Sequence, residues 1–351
     1  MTRFGSLQDD HLQVLLLGPG FGESVIVRAP GDPPGWLVVD SLLNDRRHGG
    51  RSAVLEALED LGAEPDLVVL THAHADHAAG MDLIVERFRE RAQFGLLRMS
   101  FDDVASARVR SAAQGVETAA ALRAVDLLPE SRRWHLAPGR RSLGDATVAV
   151  LHPSAARLDE LKQMSSVGPN QFSSALMIEW REQTILLGAD LERPEWAGLA
   201  AAAALHASNP VKVPHHGSPG AFDPLWVGDR ATHGNAERRM LIAPFNRRPK
   251  LPDIDDPMGV VGLLGQVDQV NVTALPFRTT PDVSGTTLPL SDLRAARDAA
   301  RRHAAPPPAL GGEVSPPERV PSERDAWLLA ELGRSGACAV RAGAEHVAVR
   351  V

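Results

Sequence analysis

The sequence predicts an α/β fold, because short apolar runs alternate with helical patterns along most of its 351 residues. Turns rich in Gly and Pro separate the runs, which have the length of strands rather than of membrane spans. The apolar content of 44% is enough for a sizeable core, and the length allows one large domain or two ordinary ones.

The first half alternates between the two kinds of element. One helix is expected over residues 51–61, because Val54, Leu55, Leu58 and Leu61 fall on one face and Gly62 stands at its end. Further helices are expected over residues 81–91 and within residues 102–128. Strands are expected over residues 12–17, 24–28, 36–40, 66–70 and 94–99.

The second half repeats this layout. Strands are expected over residues 147–151, 174–180, 184–187, 211–213, 239–244 and 270–275, with helices over 193–208 and 257–267. We assign residues 1–280 to the main domain and residues 281–322 to a Pro/Gly-rich excursion or linker, which carries a short basic helix over 293–302. Residues 323–351 are expected to form a helix (324–332) and a β-hairpin (337–341 with 346–351) that pack on the main domain.

Composition excludes several kinds of protein. The single cysteine, Cys338, excludes an intrachain disulfide and a cysteine-based metal cluster. A net charge of −7 disfavours a surface built wholly for nucleic acid, although Arg238, Arg239 and the basic run 247–250 are candidate phosphate contacts. Since neither a secretory signal nor a membrane-length apolar run is visible, we expect a cytoplasmic protein without a membrane partner.

Four potential metal ligands follow the strand over residues 66–70. They are His72, His74, Asp76 and His77, and they lie within six residues. Imidazole and carboxylate are ligand types that suit Zn²⁺ or Mn²⁺, and one tight loop can direct all four into one cavity. The two histidines at i and i+2 can share one ion, while Asp76 and His77 turn toward a second ion.

This His-x-His-x-Asp-His pattern resembles that of the metallo-β-lactamase-like superfamily. The resemblance implies an αββα sandwich, in which two mixed β-sheets are flanked by helices. It also implies that Asp40, at the end of a strand, braces the metal loop, and that Asp190, in Gly188-Ala189-Asp190, bridges two metals.

Over roughly residues 12–275 the chain also resembles the hydrolase domain of the DNA-uptake protein ComEC and its soluble relatives. In other members of the superfamily a third His ligand stands near Asn170, so its place is taken either by Asn170 or, as an alternative, by His152. The segments that carry the resemblance are 18–24, 151–153, 170–174 and the Val-Pro-His-His-Gly-Ser run 213–218.

His215 and His216 point to opposite sides if the strand persists through them, so one of them should face the metals. We expect His215 to be the ligand and His216 to lie near the substrate, with the reverse assignment left open. The expected metal ligands are therefore His72, His74, Asp76, His77, Asp190 and His215, and the expected catalytic residues are Asp76, Asp190 and His216.

The expected chemistry is hydrolysis with two divalent ions, Zn²⁺ or Mn²⁺, which activate a water molecule. The leading hypothesis is a phosphodiesterase or nuclease, so nucleic acid is one candidate partner. The first alternative is a hydrolase of a small ester, lactone, thioester or amide. The second is a degenerate metal-binding module in a larger assembly. The oligomeric state is not predicted.

Overall fold

In the computed structural model, two mixed β-sheets pack face to face and helices cover both outer faces. The expected αββα sandwich is therefore confirmed. The structure describes residues 2–44, 50–97, 115–163, 168–196, 199, 205, 208–227, 238–246, 250–303 and 326–350.

The described strands, in chain order, are β1 (Leu12–Leu17), β2 (Ser24–Ala29), β3 (Gly35–Val39), β4 (Leu43–Asn44), β5 (Arg51–Ser52), β6 (Leu67–Leu70), β7 (Gln93–Leu96), β8 (Arg133–His135), β9 (Gly139–Leu143), β10 (Ala146–Val150), β11 (Leu176–Trp180), β12 (Gln183–Leu187), β13 (Val211–Lys212), β14 (Arg239–Ile242), β15 (Gln269–Val272), β16 (Thr286–Pro289), β17 (Trp327–Leu332), β18 (Cys338–Ala342) and β19 (Val347–Arg350). The described α-helices are α1 (Ala53–Leu61), α2 (Ala75–Ala78), α3 (Met81–Phe88), α4 (Gly115–Asp126), α5 (Ala155–Gln163), α6 (Arg193–Trp196), α7 (Pro224–Val227), α8 (Val260–Leu264) and α9 (Leu290–His303).

Each sheet combines parallel and antiparallel pairs. The first sheet has the order β18-β17-β1-β2-β3-β6-β7-β8 and is parallel from β3 to β8. The second has the order β16-β19-β15-β14-β13-β12-β11-β10-β9 and is parallel from β15 to β12. Strands β4 and β5 form a separate two-stranded sheet.

Side chains that alternate along the buried strands contribute to two different hydrophobic cores. In β1, Leu12 and Leu16 enter the core between the sheets, whereas Leu15 and Leu17 enter the core beneath the helices of the first sheet. Successive side chains of a strand point to opposite faces, so a strand that is buried on both sides is apolar throughout. A third core lies between the second sheet and its helices, with Trp196 and Trp226 among its largest side chains.

The structure of the C-terminal segment differs from the predicted helix and hairpin. Residues 327–332, expected in a helix, form strand β17, which pairs antiparallel with β1. The expected hairpin partners also lie in different sheets, because β18 pairs with β17 and β19 pairs with β15 and β16. The run from Trp327 to Leu332 is buried on both faces, and periodicity alone cannot distinguish such a run from a buried helix.

Residues 286–303 also differ from the expected linker. Strand β16 pairs with β19 at the edge of the second sheet, and the basic helix, observed as α9, packs Leu293 and Ala296 into the third core. Few apolar side chains on that helix face inward, which explains why its sequence resembles that of a surface excursion. No helix among the described residues is long and apolar enough to cross a bilayer.

Candidate metal centre

We call residues 71–77 the His-rich loop, and it begins directly after β6. The chain bends at His72 and Ala73, is extended at His74 and then enters α2, which carries Asp76 and His77. The amide N–H of His77 donates to the carbonyl oxygen of His74 at 3.1 Å, which closes this turn. His72 and His77 are fully buried, whereas the side chain of Asp76 is 15% exposed.

Two loops of the second sheet face the His-rich loop. Asp190 follows β12, and the turn that carries His215 and His216 follows β13. Since β12 and β13 are parallel neighbours, their carboxyl ends lie at the same edge of the sheet. The site therefore lies where one edge of each sheet meets the other.

We call His72, His74 and Asp190 the first ligand group. One potential ligand atom from each lies within 4.8 Å of the other two. The Nε2 atom of His72 is 3.8 Å from Oδ2 of Asp190 and 2.9 Å from Nδ1 of His74. Two of these three residues come from the His-rich loop, so this group is largely local in sequence.

The second ligand group consists of Asp76, His77, Asp190 and His216, whose ligand atoms also lie within 4.8 Å of one another. Nε2 of His77 is 3.3 Å from Oδ1 of Asp190 and 3.8 Å from Oδ2 of Asp76. Nε2 of His216 is 3.4 Å from Oδ2 of Asp76 and 3.9 Å from Oδ2 of Asp190. Asp190 is the residue that the two groups share.

The chemistry of the second group fits a divalent cation. Nε2 of His77, Nε2 of His216 and Oδ1 of Asp190 are all buried, and no described residue forms a well-directed hydrogen bond with any of them. Buried polar atoms are almost always satisfied by a partner. Imidazole nitrogen and carboxylate oxygen, converging from three loops, are suitable ligands for zinc or manganese.

Asp40 forms three hydrogen bonds with residues of the His-rich loop. Its carboxylate accepts hydrogen bonds from the amide of Thr71 at 2.7 Å, the hydroxyl of Thr71 at 2.8 Å and Nδ1 of His77 at 2.7 Å. The last bond orients the ring of His77, with Nδ1 toward Asp40 and Nε2 toward the other ligands. The predicted bracing position of Asp40 is thus observed.

The carboxylates and imidazoles shift one another's pKa values. Burial lowers the pKa of His72 well below its ordinary value. Burial also acts to lower the pKa of His77, but Asp190 and Asp40 outweigh it, so this pKa is raised well above its ordinary value. Burial acts to raise the pKa of Asp190, but His77 and His216 outweigh it and hold this pKa well below its ordinary value. The cluster therefore favours the ionised form of Asp190 and the protonated form of His77.

The strand does not persist through His215 and His216, although their expected orientation to opposite sides depended on that condition. Strand β13 ends at Lys212, and both histidines have positive φ angles, 47° and 54°, in a tight turn. The backbone therefore does not alternate there. His216 is buried and joins the second ligand group, whereas His215 is 23% exposed, with Nε2 3.9 Å from Oδ2 of Asp190.

Neither candidate for a third His position lies in a ligand group. The side-chain amide of Asn170 donates to Glu192 at 3.0 Å. His152 is buried, and its Nδ1 donates to the carbonyl oxygen of Ser173 at 2.8 Å. Ser173 lies against the first ligand group, since its hydroxyl is 3.2 Å from Nδ1 of His72.

Two of the predicted phosphate contacts, Arg238 and Arg239, form hydrogen bonds within the protein. Arg238 is buried and donates to backbone carbonyls, including those of Ser208 and Trp226, so it binds the protein's own backbone instead. Arg239 donates to Gln269. Arg247 and Arg248 lie outside the described residues.

A buried ion pair that was not predicted from the sequence lies behind the second ligand group, between Glu23 and Lys212. Glu23 lies in segment 18–24, which has three Gly residues and is typical of a turn, so the local pattern does not mark Glu23. Lys212 has a visible signal, because it is the charged residue within the apolar run Val211-Lys212-Val213, directly before the His-His turn.

Residues 17–92 match the family model of the metallo-β-lactamase superfamily. The fold is that of the metallo-β-lactamase superfamily. Its members are metal-dependent hydrolases, and the candidate metal site agrees with that chemistry. The match includes β2, β3 and the His-rich loop but ends before Asp190 and His216.

Several solved structures are similar to this chain at low sequence identity. The metallo-β-lactamase fold protein YhfI from Bacillus subtilis is 13% identical, with a TM-score of 0.37 over 66% of this chain and 85% of that one. The diiron β-hydroxylase CmlA from Streptomyces venezuelae is 16% identical, with a TM-score of 0.34 over 59% of this chain and 35% of that one. The MIM-2 metallo-β-lactamase is 14% identical, with a TM-score of 0.35 over 56% of this chain and 74% of that one.

The chain spans only about a third of the length of the hydroxylase, because the match covers 35% of that chain. No curated protein matches the chain.

Proposed function

We propose that the protein is a phosphodiesterase that uses two divalent ions, Zn²⁺ or Mn²⁺, to hydrolyse its substrate. The observation that supports this most directly is the position of Asp190, whose carboxylate lies between the two ligand groups. Its Oδ2 atom is 3.8 Å from Nε2 of His72 in the first group, and its Oδ1 atom is 3.3 Å from Nε2 of His77 in the second. A carboxylate shared by two adjacent ligand groups is suited to bridge two ions. Paired ions can stabilise both the attacking and the leaving oxygen of a phosphoryl displacement.

We assign one ion to each ligand group. His72, His74 and Asp190 would hold the first ion, and Asp76, His77, Asp190 and His216 the second. His216 replaces His215 as the proposed ligand, because its Nε2 atom is buried among the carboxylates of the group. Nδ1 of His216 lies 3.0 Å from the carbonyl oxygen of Ala243, which orients the ring with Nε2 toward Asp76 and Asp190.

The bound ions would supply Lewis-acid activation of the water nucleophile and stabilise negative charge on the attacked group. Asp76 is the proposed proton acceptor, because its side chain is 15% exposed whereas that of Asp190 is 2% exposed. His215 stands at the open side of the site, beside Asp190 and Glu192. We assign to it the donation of a proton to the leaving group.

The substrate class is the finer part of the proposal. A phosphodiester is favoured by the paired ligand groups and by the resemblance to ComEC, and nucleic acid is the first natural substrate to test. The net charge of −7 argues for a local rather than a general contact with a polyanion. An ester, lactone, thioester or amide remains the alternative substrate, and a metal-binding module without activity is the third hypothesis.

The test combines metal content with turnover. Purified protein would be analysed for bound Zn²⁺ and Mn²⁺ and assayed on bis-p-nitrophenyl phosphate and on a panel of carboxylic esters, lactones and thioesters. The Asp190→Asn variant preserves the shape of the side chain but removes its charge, and Asp32→Asn, at an exposed position, is the matched control.

The proposal predicts two ions per chain and phosphodiester turnover in the wild type and in Asp32→Asn, with both lost in Asp190→Asn. Turnover of carboxylic esters in preference to phosphodiesters would contradict the proposed substrate class. Bound metal without turnover across the whole panel would favour the metal-binding module.

A further inference from the structure

Two opposite charges are buried directly behind the second ligand group. Glu23, just before β2, and Lys212, at the end of β13, are each 2% exposed and form an ion pair. Removing two charges from water is costly, and apolar residues of similar size often stabilise a fold as well as a buried pair does. Stability alone therefore does not explain why two charged residues are buried at this position.

Lys212 holds the backbone that carries the shared carboxylate. Its ammonium group donates to the carbonyl oxygen of Ala189 at 3.1 Å, and the amide of His215 donates to the same oxygen at 2.8 Å. Ala189 has a φ angle of 45°, which is uncommon for a residue with a side chain. Since Asp190 follows directly, Lys212 fixes the strained peptide from which Asp190 projects.

Glu23 contacts the other members of the second ligand group. Its Oε2 atom is 3.3 Å from Nδ1 of His216, and its Oε1 atom is 3.9 Å from Nδ1 of His77. Its amide donates to the carbonyl oxygen of Asp76 at 3.1 Å. Glu23 and Lys212 together therefore touch all three loops that supply the second group.

The pair also joins the two sheets. Glu23 leads into the first sheet, which carries Asp76 and His77, and Lys212 belongs to the second sheet, which carries Asp190 and His216. The first ligand group takes two of its three members from a single loop. It therefore depends much less on how the two sheets are held together.

We infer that Glu23 and Lys212 are positioning residues that set the geometry of the second ligand group and thereby its affinity for a divalent ion. The inference rests on the proposed function, since it assumes that both groups bind ions. Partners behind metal ligands typically contribute 10- to 100-fold to metal affinity. The second ion should therefore bind at least about tenfold more weakly without the pair, while the first ion stays bound.

The test replaces both charges at once, because a single substitution leaves the other charge buried without a partner. The variant is Glu23→Gln/Lys212→Met. The matched control is Glu331→Gln/Arg341→Met, which removes another pair with a buried glutamate, 2.8 Å between the charged atoms, in the first sheet. Apo forms of the wild type and both variants would be titrated with Mn²⁺ and with Co²⁺, whose visible absorption reports ligand geometry, and thermal unfolding would report folding.

The inference predicts two ions for the wild type and the control, and one tight plus one weakened ion for Glu23→Gln/Lys212→Met, with an altered Co²⁺ spectrum. Equal affinities for both ions in all three proteins would overturn it. So would an equal loss of both ions in both variants, because that result indicates general destabilisation. A wild type that binds two ions but cleaves no phosphodiester would contradict the proposed substrate class alone, whereas a wild type without metal would overturn both proposals.

Discussion

His152 should make folding stability depend on pH. It is 1% exposed at the end of β10, and burial lowers its pKa from the ordinary 6.5 to about 4, although the hydrogen bond to Ser173 acts in the opposite direction. The perturbation is His152→Asn, which keeps a side-chain N–H able to donate to that carbonyl and removes the titrating ring.

The size of the effect follows from the difference between the two pKa values. Between pH 6.5 and about 4 the unfolded chain binds a proton on His152 that the folded chain does not, so folding is destabilised as the pH falls. The contribution is fully present above pH 6.5 and is lost by about pH 4. A difference of this size corresponds to about 3 kcal/mol, at 1.36 kcal/mol per pKa unit.

The assay is urea unfolding with chelator present, at a series of pH values from neutral to acidic. Between pH 7 and pH 4 the wild type should lose about 3 kcal/mol more of its free energy of unfolding than His152→Asn does. His135→Asn, at an exposed position, is the control and should follow the wild type. If the curves for the wild type and His152→Asn run parallel through this range, the argument from burial is wrong.

Two further predictions concern the support of the His-rich loop. Asp40→Asn should weaken metal binding by about 10- to 100-fold, because a neutral amide with one accepting oxygen cannot replace both carboxylate oxygens, which accept from Thr71 and from His77. Equilibrium dialysis would measure this, and unchanged affinity would contradict the bracing role. Gly22→Ala should lower the free energy of unfolding by about 1–3 kcal/mol and reduce metal content, because a Cβ atom there would lie 2.5 Å from the carbonyl oxygen of Asp76. Gly220→Ala, where the nearest atom would lie 3.7 Å away, is its control, and equal unfolding midpoints for the two variants would refute the steric argument.

Local patterns were sufficient for much of the fold and for half of the site. The strands β1 and β12 and the helix α1 carry their periodicity within a few residues, and α1 has its caps at Ser52 and Gly62. The His-rich loop is equally local, because spacing within one turn decides which side chains can converge. Asp190 was predicted from the resemblance to the superfamily, together with its place after an apolar strand.

Other features depend on residues that are distant in the chain. The choice between His215 and His216 turns on two positive φ angles, which are imposed by the packing of a turn and leave no periodic signal. The C-terminal strand β17 is chosen over a helix by its pairing with β1, more than 300 residues earlier in the chain (Leu12 pairs with Leu332). Tertiary pairing of this kind overrides what a short apolar run indicates locally.

The two ligand groups differ in the same way, and this has a physical consequence. The first group depends mainly on one loop, so the local fold of that loop determines most of its geometry. The second group is divided between the sheets, so its geometry depends on the packing that holds the sheets together and on the pair of Glu23 and Lys212. Asp190 belongs to both groups, and any movement between the sheets therefore reaches the first group through Asp190 alone while it reaches the second through all of its members. The second group should accordingly be the first to lose its geometry when the packing between the sheets is perturbed.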